Sequence, residues 1–290
     1  MSISAMSLNS DKSPIDIASD CEELDLPVSG RDSKLWVRFN GGTYLVKLDL
    51  NKAYSEHFGS VFFNMLGVPA QATRLVKYKG RIACLISDIA GDSSIRTFKC
   101  IHESSIDSGY IYSAYTFADI IRELQHYSKD RSFATLLFDQ FIKMFVVDAI
   151  IANRDRHGGN WGYLYNNGVR TLCPIFDNGA CMFPNLDLST VSVDNKQDLY
   201  QLVIDSPKSQ VHLAPNRKKC TFYRLFEEFR HEIDLSWLNL QSVYRAATVS
   251  TFDIPEDRKY LWKKVAVLRY LCVVRGVPFN EAIKIYNTLS

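Results

Sequence analysis

Asp155, His157, Asn160 and Asp177 are the side chains whose types and spacing suit chemistry at a phosphate group. They stand in the run Asn153-Arg154-Asp155-Arg156-His157-Gly158-Gly159-Asn160 and, further on, Phe176-Asp177-Asn178-Gly179. Phosphoryl transfer needs a positioned carboxylate beside an acceptor hydroxyl, oxygen ligands for a magnesium ion bridging the phosphates, and a cation on the phosphates themselves. The reason is that negative charge spreads over the phosphoryl oxygens in the transition state. Asp155 suits the first task, to orient or deprotonate the hydroxyl. Asn160 and Asp177 suit the second, because an amide oxygen and a carboxylate are hard ligands of the kind Mg2+ takes in small number beside phosphate and water. His157 fits a supporting hydrogen bond inside the loop, since Asp155 already fills the role of base. Taken singly, Asp155 reads as a helix cap and Asn160 and Asp177 as turn residues; the combined spacing favours chemistry.

A protein-kinase catalytic loop, H-R-D-x-x-x-x-N, sets its Asp five positions before its metal-binding Asn. Asp155 stands five positions before Asn160. The His follows the Asp here, giving the inverted D-x-H-x-x-N order of atypical kinases. Trp161 to Cys173 reads as two strand-like runs around Asn166-Asn167-Gly168, a hairpin that returns Asp177 to the side of Asn160. Asp177-Asn178-Gly179 resembles the Asp-Phe-Gly segment of kinases with its middle residue changed.

The phosphate cation falls to Lys47, which ends a strand-like run as Val46-Lys47-Leu48, with Glu56 near the start of the following helix placed to pair with it. Upstream, Ser29-Gly30-Arg31-Asp32-Ser33-Lys34 suits a turn whose backbone amides face phosphate, with Gly30 and Lys34 as the contacts. Ser87 and Ile89 lie just before the change of lobe, where backbone can meet adenine. The nucleotide and metal expected from these groups are ATP and Mg2+.

Such groups need a scaffold that brings residues far apart in sequence together. Leu35–Phe39 and Thr43–Leu48 alternate as strands about Asn40-Gly41-Gly42, and a helix over Ser55–Leu66 carries Phe58, Val61, Phe62, Met65 and Leu66 on one face. Strands at Thr73–Tyr78 and Arg81–Ile86 follow, joined at Lys79-Gly80. After Gly91 helical spacing dominates, at Phe117–Leu124, Phe133–Ile151, Thr221–Arg230, Ser236–Ala246 and Asp257–Val274. The expected class is α+β, a two-lobed protein-kinase-like fold. Its small β-rich first lobe covers 21–92, and a mainly helical second lobe at 93–290 holds the catalytic loop and the metal-binding aspartate. Residues 1–20, rich in Ser and Asp, read as a flexible tail.

Bulk properties narrow the partners. With 47% hydrophobic residues, the chain of 290 can bury a large core. Its formal charge of +2, from 34 basic and 32 acidic residues, makes no field that argues for nucleic acid or a membrane surface. Arg217-Lys218-Lys219 reads as a solvated loop with a secondary reading as an attractor of acidic substrate or lipid head group. The seven cysteines form no C-x-x-C pair, and several sit among apolar neighbours, which suits free thiols in a reducing, cytoplasmic setting. No secretory leader pattern or membrane span is visible, since Asp148 interrupts the best apolar run, Met144–Ala152.

The segments Tyr44–Leu48, Ser55–Lys77, Asp148–Leu164 and Pro174–Gly179 resemble the HipA-like atypical Ser/Thr protein kinases, in their stand-alone CtkA-like branch. In that family an N-x-D-x-H-x-x-N loop supplies the base and a metal ligand, and residues 153–160 fit it at each defining position. The resemblance implies Asp177 as second metal ligand, Lys47 as nucleotide lysine, ATP and Mg2+ as cofactors, and a protein Ser or Thr hydroxyl as acceptor. Several members act as toxins or bacterial effectors, which extends the expected location to a host cytoplasm. The alternative is a phosphoinositide or small-molecule kinase, since lipid kinases share D-R-H-x-x-N loops. A nucleotide-binding pseudokinase is a third reading, disfavoured by the presence of every charged group the transfer needs.

Overall fold

Short alternating runs divided by tight glycine turns build the first lobe. The computed structural model describes residues 14–28, 33–105, 115–127, 131–187, 190–213, 216 and 218–289. Strands β1 (Cys21–Leu24), β2 (Lys34–Phe39), β3 (Gly42–Lys47), β4 (Thr73–Tyr78) and β5 (Arg81–Ser87) form an antiparallel sheet in the order β1-β2-β3-β5-β4. Asn40-Gly41 (φ 47° and 77°) and Lys79-Gly80 (φ 52° and 77°) take left-handed backbone at both central positions, the hairpin geometry whose twist matches the strands. Between β3 and β4 runs α1 (Leu50–Met65), begun by Asp49, whose carboxylate accepts the Lys52 N–H at 3.0 Å. That cap starts the helix more than a turn before Ser55.

The chain crosses to the second lobe between Ser87 and Ser94. There follow β6 (Ser94–Thr97), α2 (Phe98–Ser105), α3 (Phe117–Tyr127) and α4 (Arg131–Ile150), then the hairpin β7 (Gly162–Asn166) and β8 (Val169–Leu172), which β6 extends to three strands. The hairpin turns at Asn167-Gly168 as the Asn-Asn-Gly signal indicates. Next come α5 (Lys196–Tyr200), a π-helical turn (Gln201–Asp205), the ribbon β9 (Lys208–Leu213) and β10 (Lys218–Thr221), and α6 (Phe222–Phe229). The chain closes with α7 (Leu240–Ser250), α8 (Glu256–Arg269), a second π-helical stretch (Tyr270–Val274) and α9 (Phe279–Asn287). The sequence indicates a helix from Ser236, but α7 begins at Leu240, where Asn239 and Ser242 cap each other. Buried Arg269 ties α8 to the end of α4, donating to the carbonyls of Ala149, Leu202, Val203 and Ser206, while burial pulls its pKa down to about 9. Among the described residues, no helix is long and apolar enough to cross a membrane.

Two findings correct the expectations from sequence. The flexible tail at 1–20 is only in part outside the described residues, which begin at Pro14. Ile17 is fully buried with Val37, Val46, Val76 and Leu85, its N–H donates to the Lys77 carbonyl at 3.0 Å, and the Lys77 N–H donates to Ile15 at 2.8 Å. Ile17, with Ala18 packed beside it, anchors a stretch rich in Ser and Asp.

The second correction concerns α1. Instead of one apolar face it is buried nearly all round, with Ser55, Glu56, Phe58, Gly59, Ser60, Phe62 and Phe63 inaccessible. The sheet covers one side through β4 and β5, and α7 covers the other. Phe58 meets Trp262 of α8 edge-on at 5.3 Å, and Arg258 donates to Asn51 Oδ1 at 2.7 Å. Because its hydrogen bonds are shielded on both sides, the α1 amides should exchange among the slowest in the protein. Hydrogen exchange read by mass spectrometry checks this, and rapid exchange over Phe58–Phe63 would contradict the packing.

Candidate active site

The loop at 153–160 is shaped by how α4 ends. Ala152 takes left-handed backbone (φ 56°) and the Asn153 N–H returns to the Asp148 carbonyl at 2.9 Å, a Schellman-type closure that turns the chain out of the helix. The Asn153 side chain then donates to Asp148 Oδ1 at 2.9 Å. Arg156 holds the loop from within. Its Nε and Nη2 donate to the two Asp148 oxygens at 2.9 and 3.2 Å, Nη1 donates to the Asn160 carbonyl at 3.0 Å and to the Phe176 carbonyl, and Nη2 donates to Asn178 Oδ1 at 2.5 Å. Burial disfavours the guanidinium charge, but the Asp148 carboxylate outweighs it and holds Arg156 charged. One side chain therefore joins α4, the loop and the 176–178 segment, which is how Asp177 comes back to Asn160.

Within this frame Asp155 is fixed by its backbone alone. Its N–H donates to Asn153 Oδ1 at 3.2 Å, and its carbonyl accepts the Asn160 side-chain N–H at 2.9 Å and the His157 N–H at 2.8 Å. Asp155 is exposed, and among the described residues its carboxylate has no hydrogen-bond or ion-pair partner. Asn160 is buried with its amide nitrogen engaged, which leaves Oδ1 to a ligand. His157 sits at the surface and accepts the Gly159 N–H on Nδ1 at 3.0 Å, a bond that shapes the loop.

Across the cleft, Lys47 is 4% exposed and donates to Glu56 Oε2 at 2.5 Å and to Asp177 Oδ1 at 2.7 Å. The other Glu56 oxygen accepts Gln71 Nε2 at 3.1 Å and the Asn178 N–H at 2.8 Å. Burial would depress the lysine, but Glu56 and Asp177 overcome it and raise its pKa; burial opposes the Asp177 charge in turn, and Lys47, Arg156 and Lys34 more than offset this and lower its pKa. Asp177 holds left-handed backbone (φ 58°), a conformation that costs a non-glycine residue about 1–3 kcal/mol. Its carboxylate is 43% exposed, and among the described residues Oδ2 has no partner. Glycines permit the close approach. A Cβ on Gly59 would lie 2.7 Å from that of Asn178, and one on Gly179 would lie 3.1 Å from Glu56 Oε2. Asn178 also donates to Ser60 Oγ at 2.9 Å, so α1 and the 177–179 segment are stitched directly.

Of the nucleotide contacts indicated by sequence, Gly30 lies outside the described residues. Lys34 opens β2 directly opposite Lys47 in the β2–β3 register, and its charge helps lower Asp177. Ser87 is committed to the sheet, with its N–H on the Ala72 carbonyl at 2.9 Å and its hydroxyl accepting the Ala72 N–H at 3.1 Å, so its backbone N–H is taken and its carbonyl is the backbone group left for a nucleotide. Ile89 lies in the crossing itself, where among the described residues its N–H has no partner. Metal fit follows from donor type. Among the described residues no three His, Cys, Asp or Glu side chains cluster as ligands, while Asn160 Oδ1 and Asp177 Oδ2 offer the sparse hard-oxygen set that suits Mg2+ shared with phosphate. Arg156, Asp148, Asn178 and Gln71 escape a reading of spacing, although Asp148 in an apolar helical run was the visible signal of a buried pair.

A profile described as the HipA-like C-terminal domain matches residues 26–237. The serine/threonine-protein kinase CtkA of Helicobacter pylori (strain J99) is 26% identical over 209 residues, covering 66% of this chain and 63% of that protein. The match thus spans less than two thirds of that relative's length. The crystal structure of the H. pylori proinflammatory kinase CtkA superposes with a TM-score of 0.77 at 22% identity, covering 94% of this chain and all of the other. A chain from the Shewanella oneidensis MR-1 toxin–antitoxin complex of HipA, HipB and operator DNA gives 0.54 at 16% identity, covering 92% of this chain and 68% of that one. These superpositions show an α+β, two-lobed kinase-like fold. The profile covers well over half of the chain and takes in Lys47, Glu56, the 153–160 loop and Asp177, so this chain belongs to the HipA-like C-terminal domain family.

Proposed function

We infer that the chain is a Ser/Thr protein kinase that uses ATP with Mg2+. One observation carries the reading: a continuous network from Lys47 through Glu56 and Asn178 to Arg156 and the 153–160 loop leaves free the Asp155 carboxylate, Asn160 Oδ1 and Asp177 Oδ2. When bound, ATP with its divalent ion supplies the phosphoryl group. Asn160 and Asp177 would hold the ion through those two oxygens, and Lys47 would set its ammonium against phosphate, kept charged and in place by Glu56. Gly30, Lys34, the Ser87 carbonyl and Ile89 would complete the nucleotide contacts. Asp155 accepts the proton of the attacking hydroxyl on a carboxylate oxygen. The protein acceptor is supported by the name of the H. pylori relative, a serine/threonine-protein kinase.

The test is transfer of label from γ-labelled ATP with Mg2+ to a protein extract, phosphoinositide vesicles and sugars in parallel. Label on Ser and Thr of proteins, lost on chelation of the metal, is the expected result. Label confined to lipid or sugar would replace the acceptor, and none on any acceptor would remove the reading.

A further inference from the structure

The ribbon β9–β10 lies against the catalytic loop, and its exposed face is cationic. Ser209 and Val211 point inward and are buried, so alternation turns Lys208, Gln210 and His212 to the opposite face, where Lys208 is exposed, Gln210 is half-buried and the ring nitrogens of His212 are covered. Lys219 pairs with His212 in the register and joins them there. Gln210 locates this face relative to the chemistry: its Nε2 donates to the Arg154 carbonyl at 2.7 Å, and its Oε1 accepts Lys219 Nζ at 3.4 Å. A single side-chain amide therefore separates the Lys219 ammonium from the residue before Asp155. Of the sequence cluster 217–219, Arg217 lies outside the described residues, while Lys218 and Lys219 belong to β10 and not to a loop.

The charges on this face are uncompensated. Arg154, Lys208 and Lys219 are exposed, and among the described residues none has an acidic partner. Some exposed cations elsewhere are paired, as in Arg38–Glu22, Lys79–Glu23, Arg224–Glu227 and Lys259–Glu256, while Arg81, Lys196 and Arg245 stand singly among the described residues; what distinguishes this group is its place beside the catalytic loop. Three such cations beside one loop concentrate anionic segments there. Binding to an anionic membrane takes about four to eight clustered Lys or Arg, more than this face presents, so a peptide is the better match.

Resting on the kinase reading above, we propose that Arg154, Lys208 and Lys219 select the acceptor, so that the preferred Ser or Thr lies in an acidic segment of protein. Carboxylates flanking the hydroxyl meet the ribbon's lysines while the hydroxyl reaches Asp155.

The experiment compares three synthetic Ser peptides, identical except for Glu, Gln or Lys flanks, with the wild type and the double variants Lys208→Glu/Lys219→Glu and Lys208→Gln/Lys219→Gln. In the wild type the Glu peptide should lead the Gln peptide by about tenfold in kcat/KM, the yield of two to three exposed charge contacts. The gain should sit in KM and shrink as salt is added. The Gln variant should shrink the advantage of the Glu peptide to the part that Arg154 holds, and the Glu variant should favour the Lys peptide. Equal KM values for the three peptides with the wild type, or a preference that survives both variants, overturn the proposal and leave the kinase reading standing. No transfer to any peptide or protein removes both. Binding to phosphatidylserine vesicles that the Glu variant abolishes, together with level peptide KM values, assigns the face to lipid and also overturns it.

Discussion

Asp155→Asn is expected to lower kcat for phosphoryl transfer by about 10²–10⁴-fold, the usual contribution of a positioned base, while the fold survives. The loop explains why the two effects separate. Every hydrogen bond that fixes Asp155 uses its backbone, to Asn153, His157 and Asn160, and the carboxylate is exposed without a partner among the described residues. Asparagine keeps the volume and shape of the side chain and removes its basicity. Exposed substitutions away from such networks typically change stability by no more than about 0.5 kcal/mol. Single-turnover transfer and thermal unfolding of the same preparation make the comparison. A variant that unfolds normally yet transfers phosphate within a factor of a few of wild type would take the base role away from Asp155.

Arg156→Met carries the largest expected cost in stability, about 3–5 kcal/mol, because it strands the Asp148 carboxylate in the interior. For a domain whose total stability is about 5–15 kcal/mol, that is a large fraction. The guanidinium makes two bonds to Asp148, two to carbonyls and one to the Asn178 amide, and both members of the ion pair are buried. Chemical denaturation measures the loss. The double variant Arg156→Met/Asp148→Leu separates charge from geometry: replacing both members of a buried pair with apolar groups is often near neutral, so much of the stability should return. Transfer activity should not, since the hydrogen bonds by which Arg156 ties the 176–178 segment to the loop are then gone. A single variant within about 1 kcal/mol of wild type would show that Asp148 is not the charged burden the geometry makes it.

The parts of this site that could be read from sequence were those carried by local spacing. Asn40-Gly41, Lys79-Gly80 and Asn167-Gly168 announce their hairpins because only residues tolerant of positive φ fit both central positions. The interval from Asp155 to Asn160 is likewise a local property of one loop. Arg156 and Asn178 were not legible, since each acquires meaning only from partners on other elements, on α4, in the loop and on α1. Ile17 was hidden because a few apolar residues among Ser and Asp make no clear periodicity, and the near-complete burial of α1 because helical spacing reports one covered face and not two. The ribbon β9–β10 was missed for a related reason: Lys208–Leu213 alternates, but its inward positions are Ser209 and Val211, a weak apolar signal.

The double covering of α1 bears on how such a site is governed. A switch needs two arrangements within a few kcal/mol of each other. Swinging α1 away would expose Phe58, Phe62 and Phe63, at roughly 1.5–3 kcal/mol each, and would break the buried Lys47–Glu56 contact besides. Moving the helix is therefore costly, so that it acts as a keel rather than a lever. Control by moving α1 is therefore disfavoured, which leaves access to the cleft as the step open to control.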